Sequence, residues 1–311
     1  MDEDIRTKVL NEFGIKSKPK YIEVPGGFNN NYDIFVSEGR FFLKRKPESR
    51  VSNTLTDCEV SQYLFEKGVE TGKPLKSAEG VFEVRDGGYV YSMFNYKDGE
   101  NYNFSDENIT KAGESLAMFH ANMIDYARKI SFGEDTLTWS KEMLEELEIE
   151  GWKEKLSNAE IEFAKHLSRM LKTPIHWDFH GGNIKIIGGK IVPFDFEFVH
   201  YGYRVLDIAN SSICLTAISP PDYGDAESFI QKCELDFREN RLFLAGYENI
   251  TSLNDEELQV FPEALDVAWI GWTAYTLKNK KCSAETVKNA KHFPDWIEAN
   301  RERIREECRK R

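Results

Sequence analysis

Residues 174–210 read PIHWDFHGGNIKIIGGKIVPFDFEFVHYGYRVLDIAN, and this stretch decides how the chain is understood. His176-Trp177-Asp178 comes first, with Asn183 five residues beyond Asp178. Gly188-Gly189 then separates two apolar runs, 184–187 and 190–194, as in a β-hairpin closed by a two-residue turn. Asp195-Phe196-Glu197 follows the second run. A carboxylate, an amide and a second carboxylate in this order suit phosphoryl transfer. That reaction needs one carboxylate beside the acceptor hydroxyl, and oxygen donors that hold Mg²⁺ on the nucleotide phosphates. Magnesium takes hard oxygen ligands and keeps several waters, so one Asn and one Asp suffice from the protein. An isolated loop Asp is ordinarily a turn or cap residue; the ordered set of four is what outweighs that reading here. A zinc site built on His176, His180 and His200 lacks a further ligand at a convincing spacing.

Outside this stretch, composition sets the bounds. At about 150 residues per domain, 311 residues make two domains or lobes. A hydrophobic share of 41% is enough for a sizeable core and excludes a wholly disordered chain. The net charge of −12 gains nothing from counterion release, which argues against nucleic-acid or anionic-membrane partners. The opening MDEDIRTKVL has neither the basic nor the apolar region of a secretory signal. The most apolar run, VAWIGWTAYTL at 267–277, is too short to cross a bilayer. Five scattered cysteines with no CxxC pair point to a reduced, cytoplasmic setting.

The pattern along the chain changes near residue 95. Before it, apolar spacing predicts a short helix at 4–13, strands at 21–24, 32–36 and 40–45, a helix at 54–67, and strands at 81–85 and 88–94. After it come helices at 106–128 and 140–171, short strands at 175–177, 184–187 and 190–194, and helices from 204 onward. The expected class is α+β. Residues 1–95 form a small antiparallel β-rich N-terminal lobe and 96–311 a larger, mainly helical C-terminal lobe.

His176-x-Asp178-x-x-x-x-Asn183 followed by Asp195-Phe196-Glu197 resembles the aminoglycoside phosphotransferase and choline kinase superfamily, small-molecule relatives of protein kinases. HWDFHGGNI looks like that family's HGDLHPGNI block, and VLDIA at 205–209 is similar to the block that follows it. The resemblance spans roughly residues 24–210, and implies a two-lobe protein-kinase-like fold using ATP and Mg²⁺. It implies that Asp178 is the catalytic base and that Asn183 and Asp195 bind the metal. His176 braces the catalytic loop, and Asp207 is structural. The loop Pro25-Gly26-Gly27-Phe28-Asn29-Asn30 resembles the family's phosphate-covering loop, especially in the homoserine kinase and N-acetylhexosamine kinase branches. Its glycines and asparagines permit close backbone approach to phosphates, although alone it also reads as a hairpin turn. By the same resemblance Lys44 contacts the α and β phosphates, with Arg45 and Lys46 as near alternatives. Glu59 is its carboxylate partner, with Glu66 and Glu70 competing. Phe94, Asn95 and Tyr96 form the hinge that meets the adenine.

The resemblance implies that the acceptor is a small hydroxyl-bearing molecule: an amino alcohol, amino acid, sugar or aminoglycoside. Glu197, Tyr201, Asp222, Trp269 and Trp272 are its candidate contacts. Aromatic and acidic side chains together suit an ammonium group, while Trp269 and Trp272 at i, i+3 spacing also read as a packed helix face. Two alternatives remain. A protein Ser/Thr kinase is disfavoured by the absence of an APE-like segment and of a long loop between Asp195 and Asp207. A non-catalytic binding or assembly protein on a kinase fold, like some spore-coat relatives, is disfavoured because Lys44, Asp178, Asn183 and Asp195 are all present.

Overall fold

The computed structural model describes residues 3–24, 30–126, 136–145, 147–218, 230, 233–280 and 282–310. The chain divides into two compact units, Met1–Gly99 with Phe194–Val199, and Glu100–Pro193 with His200–Arg311. The division falls after Gly99 rather than residue 95, and the first unit takes back a short segment from far along the chain.

The first unit is a five-stranded antiparallel sheet with two helices. Helix α1 (Glu3–Glu12) leads into β1 (Lys20–Val24), β2 (Asn30–Val36) and β3 (Gly39–Pro47). Helix α2 (Val51–Glu66) then connects to β4 (Glu83–Asp86) and β5 (Tyr89–Asn95). The strand order is β1-β2-β3-β5-β4, which makes β3 central. Strand alternation sorts the two faces. Tyr32, Ile34, Phe41, Leu43, Tyr91 and Met93 form one core with Val9 and Leu10 of α1 and Phe13 just after it. Each such burial contributes about 1.5–3 kcal/mol. On the opposite face the residues in register are Lys44 with Ser92 and Lys46 with Val90. All four are buried, so two lysines occupy what is otherwise interior.

The second unit begins with β6 (Glu100–Asn101), α3 (Asp106–Met123), α4 (Thr136–Leu144) and α5 (Trp152–His166). Strands β7 (Lys172–Ile175), β8 (Ile184–Ile187), β9 (Lys190–Pro193) and β10 (His200–Tyr203) follow. Helices α6 (Arg204–Thr216), α7 (Phe237–Glu248), α8 (Asp255–Gln259), α9 (Phe261–Asn279), α10 (Ala284–Ala290) and α11 (His292–Arg309) complete it. Helix α6 is buried along its whole length, and α9 nearly so. This explains why 267–277 is so apolar. Helices α3 and α7 cross closely because Gly113 faces the Phe243 carbonyl and Gly246 faces that of Thr110. A Cβ at either position would overlap the backbone of the other helix.

Two sequence expectations change in detail. The helix expected over 140–171 is two, α4 and α5, with Gly151 at φ +80 immediately before α5. The strand expected at 175–177 lies at 172–175 and pairs with β10, a strand the periodicity does not reveal. The hairpin at Gly188-Gly189 is as expected, with φ of +57 and +75 and Ile187 opposite Lys190. Among the described residues none of the five cysteines forms a disulfide. No helix among the described residues is long and apolar enough to cross a membrane.

Candidate active site

One group of functional side chains belongs to the first unit. Lys44 Nζ lies 2.7 Å from Asp57 Oδ2 and 2.8 Å from Asp195 Oδ1. Burial disfavours the ammonium, but Asp195, Asp57 and Glu197 outweigh it and raise the Lys44 pKa, so the lysine stays charged. The partner of Lys44 on α2 is therefore Asp57, and the expectation of Glu59 is corrected. Thr54, Asp57, Cys58 and Ser61 share the buried face of α2. Glu59, two residues from Asp57 and about 200° around the helix, is exposed.

The Asp195 segment is held at several points. Phe196 N donates to Asp57 Oδ1 at 2.9 Å, and Asn53 Nδ2 donates to Glu197 O at 3.1 Å. Lys46 Nζ sits 2.5 Å from Glu197 Oε2, with both side chains buried. Glu197 is thus committed to an internal ion pair, which corrects its assignment as an acceptor contact. Burial, reinforced by Asp195, pushes its carboxyl up, while Lys46 and Lys44 oppose this. Asp195 has φ +63, a left-handed backbone that is uncommon for a side-chain-bearing residue outside functional loops.

Of the expected phosphate loop, Gly26, Gly27 and Asn29 lie outside the described residues. Asn30 opens β2 and its Oδ1 accepts from Arg45 Nη2 at 2.8 Å. At the expected hinge, Phe94 is buried and Lys44 Nζ stands 5.5 Å from its ring centroid. Asn95 N donates to Lys73 O and Tyr96 N to Arg40 O. Both N–H groups are thus already bonded within the unit.

The second group belongs to the second unit and centres on the loop after β7. Asp207, fully buried at the start of α6, accepts from His176 N at 2.7 Å and Trp177 N at 2.9 Å. His120 Nε2 meets the same carboxylate at 2.9 Å, and His120 Nδ1 meets Tyr247 Oη at 2.7 Å. Burial disfavours the Asp207 carboxylate, but His120, His176 and these bonds win and hold its pKa below the ordinary value. The Trp177 carbonyl accepts from Asn210 Nδ2 and Trp272 Nε1, each at 3.0 Å. Trp177, at φ +62, is therefore fixed on both sides. Next to it, Asp178 Oδ2 accepts from Asn183 Nδ2 at 2.8 Å, and His180 Nε2 lies 3.4 Å from Asp178 Oδ1. The same Asn183 nitrogen reaches Asp178 O at 3.0 Å. With its nitrogen so engaged, Asn183 offers Oδ1 as a ligand. Asn183 Oδ1 and, in the first unit, the Asp195 carboxylate are each hard oxygen donors, the kind Mg²⁺ takes.

The remaining acceptor candidates separate. Trp269 is 1% exposed, donates Nε1–H to Ala290 O at 2.8 Å and packs on Phe293, so it is core rather than a ligand contact. Trp272 joins Trp139, Trp177 and Tyr275 in an aromatic group with centroid separations of 5.5–6.3 Å. Trp139 reaches α9 because Gly271 leaves room for it. Sequence reasoning missed Trp139, whose only signal is an aromatic residue on a helix next to α9 in space, not in sequence. Tyr201 is 37% exposed on β10. Asp222 lies outside the described residues.

The family model of the phosphotransferase enzyme family matches residues 20–228. The chain belongs to this family. Solved structures agree on the fold of this phosphotransferase family member. The amicoumacin kinase hAmiN, in complex with AMP-PNP, Ca²⁺ and Ami, matches with a TM-score of 0.69 at 18% identity, covering 99% of this chain and 93% of that one. A microcompartment-associated aminopropanol kinase matches at 0.73 and 13%, covering 97% and 98%. An ethanolamine kinase of Plasmodium vivax matches at 0.61 and 14%, covering 92% and 84%. No curated protein matches the sequence. The phosphotransferase therefore has the α+β architecture of the small-molecule kinases.

Proposed function

We propose that this phosphotransferase moves the γ-phosphoryl group of ATP to the hydroxyl of a small amine-bearing alcohol. The observation that carries the reading is Lys44, buried and shared by Asp57 and Asp195. Two carboxylates keep its charge in place and aim it, which is what a lysine needs to meet α and β phosphates. Asn183 and Asp195 supply oxygen donors for Mg²⁺, which when bound neutralises charge on the phosphates. Asp178 orients the acceptor hydroxyl and takes its proton as the new O–P bond forms and the bond to the ADP oxygen breaks. His176 and Asp207 keep the Asp178 loop in shape, so that catalysis rests on positioning.

The aromatic group Trp139–Trp177–Trp272–Tyr275 adjoins Asp178 through Trp177 and favours a cationic amine on the acceptor. The aminopropanol and ethanolamine kinases with the same fold are consistent with this choice.

Thermal unfolding with and without Mg²⁺–ATP tests the nucleotide part, because a ligand bound only by the folded state raises the midpoint. ADP release over a panel of amino alcohols, amino acids, sugars and aminoglycosides tests the acceptor. A Mg²⁺-dependent shift with turnover of an amino alcohol is the expected result. No shift at millimolar ATP or GTP points to a non-catalytic binding protein, and turnover confined to sugars rejects the amine.

A further inference from the structure

Lys44 and Lys46 are two residues apart on β3, so their side chains leave the same face about 7 Å apart along the strand. Asp195 and Glu197 are likewise two residues apart in sequence, on a loop-and-turn segment of the same unit. The pairs match in order: Lys44 with Asp195 at 2.8 Å and Lys46 with Glu197 at 2.5 Å. Helix α2 holds the backbone between them through Asp57 and Asn53. Lys46 is 0% exposed and Glu197 6%, so this second ion pair is a thoroughly dehydrated one.

Such a pair is a poor device for stability alone. Well-packed apolar residues of similar volume are often as stable or more so, and the best-attested use of a buried polar pair is to fix register. A register problem exists here. Asp195 and Glu197 are both carboxylates whose charge acts on Lys44, and Lys44 by itself does not discriminate between them. A two-residue slip would put Glu197 on Lys44 and carry Asp195 away. Lys46 removes that ambiguity, because only the observed register gives both lysines an acid.

We propose that Lys46 and Glu197 are a positioning pair that sets the register of the Asp195 segment on β3 and so presents Asp195, rather than Glu197, to Mg²⁺–nucleotide. The proposal rests on the kinase reading above. Neither residue touches substrate; both act through Asp195.

The test is a Mg²⁺ titration at saturating ATP, read as the nucleotide-induced shift in unfolding midpoint and, in parallel, as ADP release. The double variant Lys46→Met/Glu197→Leu removes the pair without leaving a lone buried charge. It is expected to unfold within a few degrees of the wild type without ligand, yet to need about tenfold more Mg²⁺ for half-saturation, as when an outer-shell partner of a metal is lost. Its KM for the acceptor stays within about twofold of wild type, because the loop carrying Asp178 is untouched. Glu197→Gln keeps the volume and serves if the double variant does not fold; it is expected to shift Mg²⁺ half-saturation in the same direction. Lys46→Arg, which keeps the charge, is expected to restore it. Unchanged Mg²⁺ half-saturation in the folded variants, or an acceptor KM that moves with it, overturns the positioning pair and leaves the kinase reading intact. A wild-type protein with no Mg²⁺-dependent nucleotide shift overturns both.

Discussion

Asp57 Oδ2 lies 2.7 Å from Lys44 Nζ, and the two side chains are 1% and 6% exposed. The counter-charge of the lysine thus comes from an aspartate at the end of the second turn of α2, while Glu59 is exposed. Asp57→Asn is expected to raise the KM for ATP at least about tenfold. It should also cost about 2–4 kcal/mol of stability, somewhat softened because Asp195 remains beside the lysine. Glu59→Gln should change neither by more than about twofold. ATP kinetics with urea unfolding of both variants checks this, and the opposite ranking returns the role to Glu59.

Asp178→Asn preserves an oxygen that Asn183 can donate to and removes only the charge. Turnover is expected to fall by about 10²–10⁴-fold. The Mg²⁺–ATP thermal shift should persist. Wild-type turnover in this variant rejects Asp178 as the base.

Asp207→Asn replaces a carboxylate that receives the N–H groups of His176 and Trp177 and the ring of His120. One of its two acceptor atoms becomes a donor facing other donors, at a cost of about 3 kcal/mol or more. Circular dichroism melts measure this, and a loss under about 1 kcal/mol contradicts the anchoring role.

Asp266 on α9 is pushed up to about 7, by burial first, with Lys155 and Arg301 opposing and Glu263 adding. Between about pH 4 and pH 7 the folded protein keeps a proton that the unfolded chain has released. This site's contribution therefore makes stability fall as pH rises through that window and stay lowered above it. Asp266→Asn is expected to flatten the fall and to exceed the wild type at pH 8 by ~1–2 kcal/mol. Urea midpoints at pH 5 and pH 8 decide it, and an equal wild-type slope in the variant places the titration elsewhere.

Gly113→Ala should destabilise by about 2 kcal/mol or more, because the added methyl meets backbone rather than a side chain able to turn away. A melting point equal to that of the wild type would mean that the two helices separate at little cost.

What was legible in the sequence was whatever local pattern enforces. Gly188-Gly189 between apolar runs yields the β8–β9 hairpin, because both glycines take positive φ where other residues pay strain. The alternation in 39–47 puts Lys44 on the face opposite Phe41 and Leu43. The choice of Asp57 over Glu59 was less visible, since it depends on the rotation of α2 about its axis. Thr54, Asp57, Cys58 and Ser61 mark that rotation only once the sheet beneath is known. Strand β10 was hidden because a four-residue strand owes its existence to β7, far away in sequence. Trp269 and Trp272 share a spacing but not a fate: one faces Phe293 and the other the Trp177 carbonyl.

The hydrogen bond from Trp272 to the Trp177 carbonyl limits how this enzyme can be redirected to new acceptors. On the proposed function, a mutation at 272 that reshapes the aromatic surface also releases a support of the peptide preceding Asp178, so gains in recognition are expected to arrive with losses in rate. Phe at 272 would keep the ring and still drop the bond. Tyr201 on β10 is exposed, and directed evolution towards other alcohols is better begun there.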